Sequence, residues 1–131
     1  MKKIETPRVP VSWGELLDKI TILEIKSVRL TSEQALRNVR NELAALAKIV
    51  GDAGANSRVA ELKEKLKKVN EALWDIEDRI REHESRQAFN SEFIELARSV
   101  YKNNDERGRL KREINRLLNS EIIEEKQYKP Y

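Results

Sequence analysis

Residues 56–86 read NSRVAELKEKLKKVNEALWDIEDRIREHESR, and residues 90–119 read NSEFIELARSVYKNNDERGRLKREINRLLN. In the first stretch Val59, Leu62, Leu66, Val69, Leu73, Ile76, Ile80 and His83 recur at alternating spacings of three and four. That is an unbroken heptad seam, and an apolar stripe of this period demands a partner helix. The second stretch supplies one with the same spacing: Phe93, Leu96, Val100, Asn103, Arg107, Leu110, Ile114 and Leu117. Only Gln87-Ala88-Phe89 separates the first helix from the Asn90 cap of the second, so the two fold back on each other. The pattern therefore predicts a long antiparallel hairpin, Asn56–Arg86 returning as Asn90–Asn119. Each arm spans about 45 Å at ~1.5 Å rise per residue.

Upstream of the hairpin the chain predicts two shorter helices. Pro7 and Pro10 keep residues 1–11 extended. Ser12-Trp13-Gly14-Glu15 is a capping box that opens a helix running to about Leu30. A second box, Thr31 with Gln34, starts a helix ending at Val50, before the Gly51–Ala55 loop. The reading is an all-α, four-helix-bundle-like fold over residues 1–131, one helical domain with helices over 12–119 and a tail from 120. Composition agrees: of 131 residues 37% are charged and 5% aromatic, with four Gly and three Pro, too few turn formers for an all-β chain.

The returning seam is apolar except at Asn103 and Arg107. Pairing the two seams antiparallel puts Asn103 near Leu73 and Arg107 near Val69. A guanidinium there must snorkel out or find a carboxylate, because an unpaired buried charge is costly. On the N-terminal helix, at about 100° per residue, the apolar arc holds Trp13, Leu16, Leu17, Ile20, Leu23 and Val28, with Glu24 inside it. Glu24 is therefore the expected partner of Arg107, with Asn103 adding a hydrogen bond. This polar layer reads first as a lock on helix register and second as a ligand pocket. Ile22 and Ile25 point away from the arc, so the first helix is either central or part of an oligomer interface. Trp74 lies off the seam and either covers one of the two N-terminal helices or anchors a partner, which makes all three interface candidates.

Several chemistries find no support in the residues. With no cysteine there is neither a disulfide nor a thiolate site. The one histidine, His83, has apolar Ile80 three residues before it, so the carboxylate–histidine pattern of di-metal bundles is missing. No metal and no cofactor is expected. No Gly-rich phosphate loop, nucleophile elbow or HExxH is present. No apolar run approaches the ~20 residues of a membrane span, and no signal peptide opens the chain, so a cytoplasmic protein is expected. The net charge of +3 comes from 26 basic and 23 acidic residues, a mixed surface. Basic residues gather at the open end of the hairpin and acidic ones in Glu71–Arg86, but glutamates dilute the basic end. Nucleic acid is accordingly the last-ranked partner.

The stretches Val11–Lys26, Leu73–Asp78, Phe93–Arg98, Tyr101–Asp105, Lys111–Asn115 and Glu124–Tyr128 carry a likeness. Through them the chain resembles a family of short all-helical bacterial and phage proteins of unassigned function. The resemblance implies relatives and no activity. Paired seams, excess apolar surface on the first helix and the missing catalytic set point to a helical interaction or assembly protein, a homo-oligomer, and leave enzymatic activity open. The alternative is a small-molecule-binding or catalytic bundle with Glu24, Arg107, Asn103 and either Asp18 or Lys19 lining a polar pocket.

Overall fold

Short polar side chains set where each helix begins. In the computed structural model, which describes residues 2–131, Ser12 Oγ accepts from the Glu15 amide at 3.1 Å and opens α1, Trp13–Arg29. Ser32, one residue later than the expected Thr31, accepts from Ala35 and opens α2, Glu33–Val50. Residues Gly51–Ala55 form a single 3-10 turn, with Gly51 at φ +50°. Asn56 caps α3, Ser57–Ser85, and Asn90 caps α4, Ser91–Leu117. Each cap satisfies backbone N–H groups that the helix itself leaves unpaired.

The α3–α4 turn closes as a Schellman motif. The Ala88 amide donates to the His83 carbonyl at 2.9 Å and the Gln87 amide to Glu84 at 3.0 Å. This geometry requires a left-handed residue between them, and Gln87 takes φ +55°. The same device ends α4: Ser120 donates to Asn115 at 2.9 Å, with Asn119 at φ +50°.

The helices stack in three levels. The α3–α4 hairpin is the base, α1 lies across it, and α2 packs on α1 and on the Gly51–Ala55 turn. α1 crosses the hairpin obliquely. Its first turn touches α4 through Gly14 and Asn115, its middle meets both helices, and Glu24 reaches Lys63 and Lys67 on α3. Leu16, Leu17 and Ile20 of α1 fill the core with Val59, Leu62 and Leu66 of α3 and Leu110 and Ile114 of α4. Each such side chain stabilises by about 1.5–3 kcal/mol through burial. α2 closes the edge with half-buried Leu43, Leu46 and Val50.

Of the two alternatives for α1 the structure takes the central one at Ile25, and it corrects the placing of Val28. Ile25 is only 3% exposed, and Val28, placed in the apolar arc, is 83% exposed. The reason is that α1 is covered by the hairpin on one side and α2 on the other, so it buries two stripes. Ile25 is therefore not free to serve as an interface, and Ile22 is half-buried. No helix among the described residues is long and apolar enough to cross a membrane.

Candidate functional site

The first turn of α1 is received by the last turn of α4. Gly14 permits this approach, since a Cβ at that position would sit 2.5 Å from the Lys111 carbonyl oxygen. Its amide donates to Asn115 Oδ1 at 2.7 Å, and the Trp13 amide donates to Ser120 Oγ at 3.3 Å. With Ser12 taking the Glu15 amide, the three leading N–H groups of α1 all have acceptors. That junction sets the depth and direction at which the next turn enters the bundle.

One turn on, Asp18 is 1% exposed. Its Oδ1 accepts from Asn70 Nδ2 at 2.8 Å and from Arg107 Nε at 2.9 Å; its Oδ2 accepts from Arg107 Nη2 at 2.5 Å. Asn70 also donates to Thr21 Oγ1 at 2.9 Å, and Thr21 donates to the Asp18 carbonyl at 2.7 Å. Burial by itself pushes the Asp18 carboxyl up. The Arg107 and Asn70 hydrogen bonds, with the charges of Arg107 and Lys111, outweigh it and hold the group below the ordinary carboxylate range. Arg107 in turn is raised by its bond to Asp18.

A second ion cluster lies beside the first. Lys111, one turn after Arg107 on α4, is buried and donates to Glu15 at 2.7 Å and to Glu124 of the tail at 3.0 Å. Burial opposes its charge, but the two carboxylates prevail and raise it. Glu15 and Asp18 on α1 thus face Lys111 and Arg107 on α4 as two rungs of opposite charge. Glu124 draws the tail back over α4, and Tyr131 donates to Asp105 Oδ2 at 2.6 Å. No buried side-chain polar atom among the described residues is left without a partner.

The expected Glu24–Arg107 contact does not form. Glu24 pairs instead with Lys63 at 3.3 Å and Lys67 at 3.8 Å. The oblique path of α1 explains the difference: six residues beyond Asp18 the helix has left α4 and runs over α3. Asn103 donates to the Ser99 carbonyl within its own helix at 2.8 Å, so it stays outside the network. Arg107 finds a carboxylate as its burial requires, and it lies level with Asn70, next to the predicted Val69. From the sequence Asp18 stands beside Arg107 only as a lining residue of the alternative pocket, and Thr21, Asn70, Lys111 and Asn115 are not singled out. One signal was available: at about 100° per residue, Gly14, Asp18, Thr21 and Ile25 share a stripe.

Two openings flank this network. A shallow cavity of about 250 Å³ is walled by Glu15, Asp18, Ile22, Lys26, Glu42 and Arg107. A wider, mostly apolar groove of about 580 Å³ runs between α1, α2 and α3, with Leu17, Ile20, Leu43 and Val59 on its walls. Among the described residues no three His, Asp or Glu side chains gather as metal ligands. His83 hydrogen-bonds the Arg79 carbonyl through Nδ1 at 2.9 Å and leans on Phe93.

Past the end of α1 the hairpin continues alone. Arg29 reaches Asp75 at 2.5 Å, and from about that level to the turn α3 and α4 pack, among the described helices, only on each other. Leu73, Trp74, Ile76, Ile80, Phe93 and Val100 are half-buried there. Phe89 and Ile94 are 52% and 55% exposed, and the Phe89 ring stands edge-on to Phe93 at 5.2 Å. The sharp contrast is with the other end of the same seam, where Leu66 is fully buried.

No curated protein and no solved structure matches the chain. The network joins residues from three stretches on which the resemblance rests: Glu15 and Asp18, Lys111 and Asn115, and Glu124. Residues 7–131 match the model of a family of unknown function, DUF6165, and the chain belongs to that family.

Proposed function

We propose that this protein works by association, pairing its two-helix arm with the arm of a second copy. The observation that carries the reading is the partly covered seam of the arm, where Leu73, Ile76 and Ile80 on α3 and Phe93 and Val100 on α4 are half-buried around the buried Leu96 and His83. Two helices bury the centre of a heptad seam and leave its flanks partly open, whereas four cover the flanks as well. Charge offers little resistance to such a meeting. Arg79 is paired with Glu92, Arg81 with Glu77, Arg86 with Glu82 and Arg98 with Glu95 along the arm. A symmetric pairing uses the same patch twice and closes on itself. In this reading the Asp18–Arg107 network keeps the base rigid and fixes helix register.

The basic end of the hairpin favours nucleic acid less. Arg58 and Lys65 are tied to Glu61, Arg109 to Glu106 and Arg116 to Glu113. Light scattering across micromolar concentrations tests the reading. The expected mass is that of two chains, falling to one chain in the double variant Phe89→Glu/Ile94→Glu, with helicity unchanged. A single-chain mass for the unaltered protein at every concentration removes it.

A further inference from the structure

Arg107 has more donors than its partner uses. Asp18 takes the Nε–H and one N–H of Nη2, the side edge of the guanidinium. The other N–H of Nη2 and both of Nη1 have no acceptor among the described residues. A guanidinium does not lose its proton in a protein, so this second edge is a permanent, planar, two-pronged donor. The side chain is 26% exposed, and it stands on the wall of the 250 Å³ cavity between α1 and α2.

We propose that this cavity binds a small molecule through a carboxylate or phosphate group seated on the open edge of Arg107. Several features of the cavity fit such a ligand. Its acidic walls are already neutralised: Asp18 by Arg107, Glu15 by Lys111 and Glu42 by Lys19 at 3.4 Å. Lys26, on the same wall, makes no ion pair among the described residues, so its ammonium is available to a second oxyanion contact. The receiving edge is held in place by a carboxylate that is itself gripped by Asn70, so little ordering is lost on binding. Ile22 and Leu23 supply an apolar wall for a short carbon skeleton. The opening, about 250 Å³, has room for a small oxyanion.

The test is a nuclear magnetic resonance titration of the full chain with inorganic phosphate and, separately, succinate, against sodium chloride at equal ionic strength. The expected result is a saturable shift of the Arg107 Nε–H and the Ile22 and Lys26 amides with at least one oxyanion and not with chloride. Phosphate alone marks a tetrahedral ligand group, succinate alone a planar one. Lys26→Ala, a surface change that removes no ion pair, should weaken binding about fivefold. Arg107→Lys keeps a charge for Asp18 but removes the fork, and should abolish the shifts. Equal shifts with chloride, no saturation with either oxyanion, or unchanged affinity in Lys26→Ala each overturn the proposal.

Discussion

The carboxylate of Asp18 lies out of water, and hydrogen bonds from Arg107 and Asn70 keep it ionised there. Removing one partner of such a pair strands the other. Asp18→Leu is expected to cost about 3 kcal/mol in urea unfolding, near the lower end for broken buried pairs because Arg107 retains access to water. Asp18→Leu and Arg107→Leu together should cost less than their sum, by about 1 kcal/mol or more. Strict additivity would mean the two residues do not stabilise each other. The depressed acidity of Asp18 also predicts a pH response. Its contribution is complete above the unfolded value of about 3.9 and is lost as pH falls through the lower folded value. The stability gap between wild type and Asp18→Asn should therefore narrow in acid; a gap independent of pH contradicts the assignment. Lys111 behaves in the opposite sense, contributing until pH rises through its elevated value. Gly14 makes a third residue-level case. Gly14→Ala drives a methyl against the Lys111 carbonyl, and should lower stability by about 2 kcal/mol in the same assay.

At the level of helices, starts and seams follow from local chemistry and ends follow from geometry. Ser12, Asn56 and Asn90 act as caps because a short side-chain oxygen can reach an amide two or three residues on, wherever the rest of the molecule lies. The left-handed Gln87 is different, since only the closed α3–α4 turn requires that backbone angle. Glycine adopts it without the Cβ clash, so Gln87→Gly should raise the unfolding free energy by up to about 1 kcal/mol. A thermal midpoint that falls in Gln87→Gly would show that the glutamine side chain contributes more than the strain removes.

For the whole molecule, a buried base and a half-covered arm carry different stabilities. If the arm is completed by a second copy, unfolding is linked to association, and the thermal midpoint must rise with protein concentration. The Phe89→Glu/Ile94→Glu variant should lose that dependence while keeping its helical content. A midpoint constant over a hundredfold concentration range, about the span on which mass action is readily seen, would separate folding from pairing. The uneven cover has a simple origin. α1 ends at Arg29, about a third of the way from the hairpin turn, and α2 turns back over α1 without extending the cover.

The sequence by itself determined the helices, the hairpin and the need of Arg107 for a carboxylate. Heptad spacing, capping side chains and the cost of an unpaired buried charge are all properties of near neighbours in the chain or of one residue's chemistry. Only the tertiary structure decided that the carboxylate is Asp18 and not Glu24. The choice depends on the angle at which α1 crosses the hairpin, and that angle is set by contacts between residues about a hundred positions apart, such as Gly14 with Asn115. The same angle buries Ile25, frees Val28 and leaves the turn end of the seam without cover from α1. Crossing angles arise from the joint packing of whole surfaces, so no single helix encodes one.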